Sequence, residues 1–186
     1  MFNFCLSVGI YPNSWAEGYI TAIHKGNDST DPNNYRGIAI NCAVGKVFNR
    51  IFSLRLDKFL HKHNIIHDSQ IGFTKKARTA DHMFIINCPV NKYCNSKDGR
   101  LFACFVDFRK AFDTVIHTGI KIKLLNLGVG SLFYNIVEQM YTISKSCVRI
   151  DNHVSDFFPI NVGVKQGDNL SPNLFKFLLT TYQTTY

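Results

Sequence analysis

Short apolar segments alternate with turn-forming segments near the start of the chain. Residues 19–23 and 35–40 are mostly apolar, and residues 24–34 between them are dense in Gly, Asn, Asp and Pro. This arrangement predicts an antiparallel hairpin. The tip of the hairpin is basic, because Lys25 and Arg36 lie next to the turn.

Helical spacing replaces this pattern further along. Apolar side chains recur every three or four positions over residues 44–60, which predicts an amphipathic helix. A loop with the basic residues Lys75, Lys76 and Arg78 comes next, and a second helix is expected over residues 79–91.

The second half of the chain mixes helices with a further hairpin. Apolar periodicity predicts a helix that ends near Gly128 and another over residues 131–141. Residues 146–150 and 157–162 alternate around a turn at 151–152, which indicates two antiparallel strands. Antiparallel hairpins interspersed with helices are typical of the α+β class.

Composition and charge narrow the class of partner. The chain has 21 Lys and Arg against 13 Asp and Glu, which gives a formal net charge of +8. A positive charge of this size suits binding to a polyanion such as nucleic acid. The alternative is that the charge only keeps the protein in solution, as it does in many basic proteins. The six cysteines form no CxxC pair. With no signal peptide and no stretch of about 20 apolar residues, we expect an intracellular protein with reduced thiols, in cytoplasm or nucleus and without a membrane partner.

A continuous apolar run over residues 101–106 is typical of a buried strand, and it ends on Asp107. Cys104 within the run is expected to be a buried thiol. A carboxylate at the end of such a strand needs cations or hydrogen-bond donors, and Mg²⁺ is a natural partner. The alternative is that Asp107 caps the next helix. Asp113 is expected to be a capping or surface residue.

The loop Gly163–Pro172, called the Gln166 loop below, has two glycines flanking Lys165 and Gln166. Glycine permits close backbone approach to a ligand, and the Gln166 amide can both donate and accept. Ser171 is expected to cap a helix over residues 174–179 that follows the loop. The alternative for the loop is an ordinary surface connection.

Three histidines, His61, His63 and His67, cluster in a polar region of the chain. No cysteine stands near them at metal-ligand spacing, so we expect a solvated loop here and no metal site.

Several of these segments follow one another in a characteristic order. They are Pro12…Trp15, Ile23-His-Lys-Gly26, Asp31-Pro-Asn-Asn-Tyr-Arg36, Gln70-Ile-Gly-Phe73, Phe105-Val-Asp-Phe-Arg-Lys-Ala-Phe-Asp113 and Gly163-Val-Lys-Gln-Gly…Leu-Ser-Pro172. Together they resemble the fingers and palm of non-LTR retrotransposon reverse transcriptases, most of all the jockey- and CR1-type elements. The resemblance runs from about Tyr11 to Phe177.

The resemblance implies a right-hand polymerase fold and an RNA-directed DNA polymerase. Residues 1–100 would be fingers, residues 101–179 a partial palm, and residues 180–186 an unstructured tail. The implied partners are an RNA template, a DNA primer and a deoxynucleoside triphosphate, with two Mg²⁺ ions as cofactor.

Site residues follow from the same resemblance, position by position. Asp107 would be the first catalytic aspartate and a metal ligand, assisted by the carbonyl of Phe108. The nucleotide-binding residues implied by the resemblance are Lys25, Arg36, Phe108, Ala111, Phe112, Gln166 and Gly167, with Phe112 as the aromatic steric gate. The template-binding residues implied are Gln70, Lys75, Lys76 and Arg78. Asp107 is expected to lie close to Gln166 and Lys25.

The sequence departs from the family pattern in two places. The aromatic-Ala-Asp-Asp hairpin that carries the other catalytic carboxylates does not occur in these 186 residues, so we expect an incomplete, inactive domain. Gly37 stands where many relatives have Pro, which is expected to loosen that strand. One alternative is a catalytically dead, basic nucleic-acid-binding remnant. Another is a binding or structural domain unrelated to polymerases.

Overall fold

The predicted hairpins pair within a mixed sheet. The structure is a computed structural model that describes residues 1–74, 77–95 and 98–180. Strands β1 (Glu17–His24) and β2 (Tyr35–Asn41) are antiparallel, in a register that runs from Gly18 opposite Asn41 to His24 opposite Tyr35. The hairpin predicted from the apolar pattern of residues 19–40 is therefore confirmed.

The second hairpin joins the sheet through its first strand, which pairs with β1 in parallel. Strand β3 (Lys145–Ile150) pairs with β1, and it also pairs antiparallel with β4 (His153–Val154) and β5 (Phe158–Pro159). The predicted turn lies between β3 and β4, where Asp151 has a φ of 51°. The sheet order is β2-β1-β3-β4, with β5 also on β3. A mixed sheet with helices confirms the α+β class.

In the described part of the chain, the five helices predicted from the sequence lie close to their expected positions, and two short helices before residue 17 were not predicted. In chain order they are α1 (Phe2–Val8), α2 (Asn13–Ala16), α3 (Ala43–Lys62), α4 (Thr79–Cys94), α5 (His117–Asn126), α6 (Ser131–Thr142) and α7 (Ser171–Leu179). The helix predicted over residues 44–60 is α3, the one predicted over 131–141 is α6, and the one predicted over 174–179 is α7.

The chain divides into two compact units. The first contains residues 1–66 and the chain from residue 110 onward, and the second contains residues 67–109. This division by contacts differs from the predicted fingers (1–100) and partial palm (101–179), and that assignment stays a prediction.

The core of the first unit is built on one face of α3. Phe48, Phe52, Leu56 and Leu60 are spaced by four residues, so they lie on one side of the helix, and all are at most 1% exposed. Helix α7 packs against α3. The buried residues contributed by α5, α6 and α7 include Ile120, Leu124, Ile136, Val137, Leu174 and Phe177.

The buried strand predicted over residues 101–106 is wrong. Residues 101–108 form no strand and are all exposed, with Phe102 at 90% and Phe105 at 80%. The expectation that Cys104 is buried is wrong for the same reason. An apolar run becomes a buried strand only when neighbouring strands satisfy its backbone and other elements cover its faces. The described residues of the second unit include no strand, and α4 has no buried residue.

Two smaller expectations are corrected near α7. Leu170, not Ser171, occupies the N-cap position, and Ser171 is the first helical residue. Thr180, which was expected to begin an unstructured tail, is buried, and its hydroxyl donates to the carbonyl of Phe177 at 2.7 Å. Residues 181–186 lie outside the described residues.

Among the described residues, the six cysteines are free thiols. No helix in this part of the chain combines the length and the apolar character that crossing a membrane requires.

Truncating Phe48 tests the core. Its ring is fully buried and lies 5.2–5.9 Å, between centroids, from the rings of Phe2, Tyr11, Trp15 and Phe52. We expect Phe48→Ala to lower the free energy of unfolding by about 3–5 kcal/mol, because it removes apolar burial and leaves a cavity. Val47→Ala is the matched control, since Val47 is 53% exposed, and a change within about 0.5 kcal/mol is expected there. Equal losses in urea denaturation would contradict the assignment of this face to the core.

Candidate functional site

The Gln166 loop is hydrogen-bonded to the segment that precedes α5. The Gly163 amide donates to the Val115 carbonyl and the Val164 amide to the Phe112 carbonyl, both at 2.8 Å. Gly163 has a φ of 89°, and a Cβ there would stand 3.0 Å from the carbonyl oxygen of Asp113. Only glycine adopts this backbone and approach without strain. The loop is thereby fixed beside Phe112.

The same loop covers the open edge of β2. The Ala39 amide donates to the Gln166 carbonyl at 3.0 Å. Gly167 follows with a φ of 97°, and a Cβ there would lie 3.1 Å from the Ala39 carbonyl oxygen. This hydrogen bond pairs an amide that the sheet leaves open at the edge of β2. It holds Gln166 and Gly167 against the strand that carries Arg36.

Phe112 lies half-buried under the loop. Its ring stacks on Phe175 of α7, with centroids 4.9 Å apart and planes inclined by 21°. Ala111 beside it is also half-buried, and Asp113 is exposed, as expected for a surface residue. The structure therefore brings Phe112, Gln166 and Gly167 together, which are three of the predicted nucleotide-binding residues.

A cavity of about 290 Å³ lies between the loop and the sheet. Its lining includes Gln166 and Asp113 from one side and Gly37 and Ala39 from β2. A Cβ on Gly37 would come within 2.9 Å of a methyl carbon of Ile20. Gly37 therefore leaves room for the Ile20 side chain, and the expected loosening of the strand stays a prediction.

The basic hairpin tip is solvent-exposed. The Lys25 amide donates to the Asn34 carbonyl at 2.7 Å, and its ammonium donates to the Asn33 carbonyl at 3.2 Å. Arg36 is exposed on β2. Successive side chains of a strand alternate between its faces, so Arg36 lies on the face opposite Gly37 and Ala39. Neither Lys25 nor Arg36 lines the cavity beside Gln166.

The other predicted site residues belong to the second unit. Asp107 and Phe108 are exposed, Gln70 is half-buried, and the backbone amide of Arg78 donates to the Asp81 carboxylate at 2.6 Å at the start of α4. Asp107 does not cap a helix, since α5 begins ten residues later. Lys75 and Lys76 lie outside the described residues. The expected proximity of Asp107 to Gln166 and Lys25 stays a prediction.

The fit of a divalent metal depends on Asp107. Mg²⁺ prefers near-octahedral oxygen coordination, often with one or two carboxylates plus substrate phosphates. In the described part of the chain, no three His, Cys, Asp or Glu side chains form a group that could hold a metal. This part of the chain includes His61, His63 and His67. A carboxylate and one backbone carbonyl do not make a complete ligand set.

Two charged residues of the loop, the half-buried Lys165 and the buried Asp168, have roles that the sequence did not indicate. The Lys165 ammonium donates to the Ala16 carbonyl, the last residue of α2, at 2.6 Å. Burial lowers the pKa of Lys165, and the nearby Asp168 carboxylate partly opposes this shift. Asp168 is 8% exposed and accepts from Asn49 at 2.7 Å and from Asn41 at 3.3 Å.

A further missed residue, His117, holds the start of the loop. It is buried, and its Nε2 donates to the Gly163 carbonyl at 2.7 Å while its ring lies 4.3 Å from that of Tyr141. Burial lowers the pKa of His117; the hydrogen bond to Gly163 opposes the shift, and the charge of Lys121 adds to it.

Comparison with known proteins places this arrangement in a family. Residues 23–184 match the family model described as reverse transcriptase (RNA-dependent DNA polymerase). The chain belongs to the reverse transcriptase family. The matched region includes Phe112, the Gln166 loop, all of β2 and the last two residues of β1.

The curated relatives are polymerases of mobile elements. The chain is 29% identical to the RNA-directed DNA polymerase from mobile element jockey of Drosophila melanogaster, over 99% of this chain and 20% of the relative. It is 26% identical to the probable RNA-directed DNA polymerase from transposon X-element of the same species, over 94% of this chain and 19% of the relative. It is 29% identical to the retrovirus-related Pol polyprotein from type-1 retrotransposable element R2 of Popillia japonica, over 92% of this chain and 24% of the relative.

These matches confirm the resemblance to jockey and other non-LTR retrotransposons. The chain spans about a fifth of the length of the relatives first matched.

From the lowered pKa of His117 we predict how the stability of this reverse transcriptase segment changes with pH. Since the pKa in the fold lies below the usual value of about 6.5 in the unfolded chain, the unfolded state binds more protons as pH falls through 6.5. Stability from this group is complete above that pH and decreases below it. His117→Gln keeps a donor for Gly163 without titrating near neutral pH. We expect the urea midpoint of the wild type to fall more than that of the variant between pH 7 and pH 5, and equal falls would contradict the assignment.

Proposed function

We propose that this chain is the fingers and part of the palm of a reverse transcriptase that copies RNA into DNA. The observation that carries the proposal is the hydrogen-bonded connection from Phe112 through Val164 and Gln166 to Ala39 of β2. It joins the predicted steric gate, the nucleotide-lining loop and the fingers strand within one unit. The match of residues 23–184 to the reverse transcriptase family supports it. The comparisons do not favour the alternative of a mere nucleic-acid-binding remnant.

The reaction is a nucleotidyl transfer. The 3′-oxygen of a DNA primer attacks the α-phosphorus of a deoxynucleoside triphosphate, the bond to the bridging oxygen breaks, and pyrophosphate leaves. The protein's contribution is to position the reactants and to neutralise charge. In the proposal, Lys25 and Arg36 bind the phosphates, Ala111 offers its amide to them, and Phe112 packs under the sugar. The Arg36 side chain lies on the face of β2 opposite the cavity beside Gln166, so the proposal places the phosphates outside that cavity.

The Gln166 loop completes the nucleotide site in this proposal. Gln166 and Gly167 line the incoming nucleotide, and the cavity beside Gln166 is the space next to them. Phe112 is suited to discriminate sugars because its ring is held by stacking on Phe175, so its position is fixed before a ligand arrives.

Reverse transcriptases use Mg²⁺. In this chain Asp107 and the carbonyl of Phe108 are proposed to contribute to its coordination. The metal supplies stabilisation of the negative charge on the reacting phosphate when it is bound. Asp107 by itself does not complete the ligand set.

The RNA template is proposed to run along the second unit. Gln70, Lys75, Lys76 and Arg78 are the residues proposed for its contacts. A formal net charge of +8 supports binding to a polyanion, since Lys and Arg displace counterions from phosphates.

Nucleotide affinity tests the role of the hairpin tip. We expect Lys25→Ala to weaken binding of a fluorescent deoxynucleoside triphosphate by about tenfold, because it removes a charged donor to phosphate, a contact of about 1.5 kcal/mol. Lys58→Ala is the matched control, since Lys58 is also an exposed lysine and lies on α3 instead of at the tip. Titrations would be monitored by fluorescence anisotropy at constant ionic strength.

Equal losses in the two lysine variants would show that only net charge matters. Loss in Lys25→Ala alone would support a phosphate site at the hairpin tip.

Primer extension by the 186-residue chain on its own is a second test. The sequence contains no adjacent pair of aspartates, so it supplies no second carboxylate pair of the family type. We expect no detectable extension of a DNA primer on an RNA template with Mg²⁺. Incorporation that Asp107→Asn abolishes would show that this chain already holds a complete catalytic set.

A further inference from the structure

The two residues at the centre of the Gln166 loop are flanked by two charged residues, one half-buried and one buried. Lys165 precedes them and donates to the carbonyl of Ala16, and Asp168 follows them with only 8% of its surface exposed. Gln166 itself is half-buried, and Gly167 is exposed. The residues proposed to touch the nucleotide therefore lie between two anchored neighbours.

Asp168 connects its loop to two other elements. Its Oδ2 accepts from Asn49 Nδ2 on α3 at 2.7 Å and from Asn41 Nδ2 at the end of β2 at 3.3 Å. Its Oδ1 accepts from the backbone amide of Leu170 at 2.8 Å. A carboxylate accepts at both oxygens, so it satisfies these three donors at once.

The orientation of both amide side chains is set by this carboxylate. The Nδ2 groups of Asn41 and Asn49 donate to it, and both residues line a small space that Asp168 also lines. Buried polar groups that contact one acceptor in a low-dielectric site are strongly coupled. Removal of that acceptor would leave the buried Asn49 and the half-buried Asn41 without their shared partner.

Helix α3 presents a polar stripe to the loop. The carbonyl of Lys46, the amide of Asn49 and the hydroxyl of Ser53 contact Asn169, Asp168 and Asn169 in turn. These helix positions are three and four residues apart, so they lie along one face. Helix α3 therefore holds the loop through three hydrogen bonds, and Asp168 is the charged residue among the loop's partners.

We propose that Asp168 is a positioning residue that fixes Gln166 and Gly167 against β2 for nucleotide binding. This inference rests on the proposed function for its consequence. Its structural part does not, because the hydrogen bond from the Ala39 amide to the Gln166 carbonyl reports loop position directly. Asp168 touches no proposed ligand group and acts through the loop.

The test is an exchange of the paired groups. Asp168→Asn keeps the shape but replaces one of the two acceptor oxygens with an NH₂ donor, which then faces either the side-chain amide of Asn49 or the backbone amide of Leu170. We expect hydrogen exchange at the Ala39 amide to accelerate by about tenfold or more, because a buried hydrogen bond is replaced by two facing donors. The double variant Asp168→Asn with Asn49→Asp moves the carboxylate to the partner, and we expect it to restore at least half of the protection.

Ser53→Ala is the matched control. It removes the hydrogen bond from the same helix face to the Asn169 carbonyl, at 3.0 Å, without changing Asp168. We expect lower overall stability with unchanged relative protection at Ala39. If Asp168→Asn does not fold, Asn41→Ala is used in its place. That variant removes the longer contact to Asp168, at 3.3 Å. We therefore expect hydrogen exchange at the Ala39 amide to accelerate less, by about threefold.

The outcomes separate the two proposals. Unchanged Ala39 protection in Asp168→Asn, or no recovery in the double variant, would overturn the positioning role whatever the nucleotide data show. Loss and recovery of protection accompanied by parallel loss and recovery of nucleotide affinity supports both proposals. Loss and recovery of protection without any change in affinity supports the positioning of the loop and counts against the nucleotide site.

Discussion

The packing of helix α3 against the Gln166 loop is the constraint on which the rest of the first unit depends. One face of α3 is apolar and carries Phe48 and Phe52, both at most 1% exposed. A neighbouring stripe is polar and buried, with Asn49 and Ser53 hydrogen-bonded to the loop. Burial of the apolar face stabilises the packing without fixing a direction, and within the polar stripe the directional contact of Asn49 with Asp168 selects one loop position.

Pattern in the sequence was sufficient for segments that bury a single face, whichever element covers that face. The hairpin of β1 and β2 and the helices α3, α6 and α7 were predicted because their periodicity reports a single buried face. Residues 101–106 show the limit of this reasoning. A continuous apolar run states that a segment could be buried, but burial also needs strands and helices to cover it, and the run itself does not specify them. The predicted strand is therefore wrong, although the composition is that of a strand.

The site was predicted unevenly for a related reason. Phe112, Gln166 and Gly167 were found through motif order, and the structure brings them together. Asp168 and Asn49 were missed as a pair because 119 residues separate them in the chain. A signal was available in part: Asn49 and Ser53 are polar residues beside Phe48 and Phe52 on an otherwise apolar face. Polar residues at such positions are costly unless partnered, so they point to a buried polar contact.

Burial of these polar groups is consistent with a loop whose position matters more than its stability. A buried carboxylate with amide donors contributes little net stability compared with apolar side chains of similar size, yet removal of one partner is strongly unfavourable. Selection for stability alone would favour apolar residues at positions 49, 53 and 168. Lys165 and Asp168 instead hold the two ends of a segment whose middle residues, Gln166 and Gly167, remain accessible. Fixed ends with an accessible centre reduce the conformational entropy lost when a ligand binds, which is the physical advantage of such an arrangement for nucleotide binding.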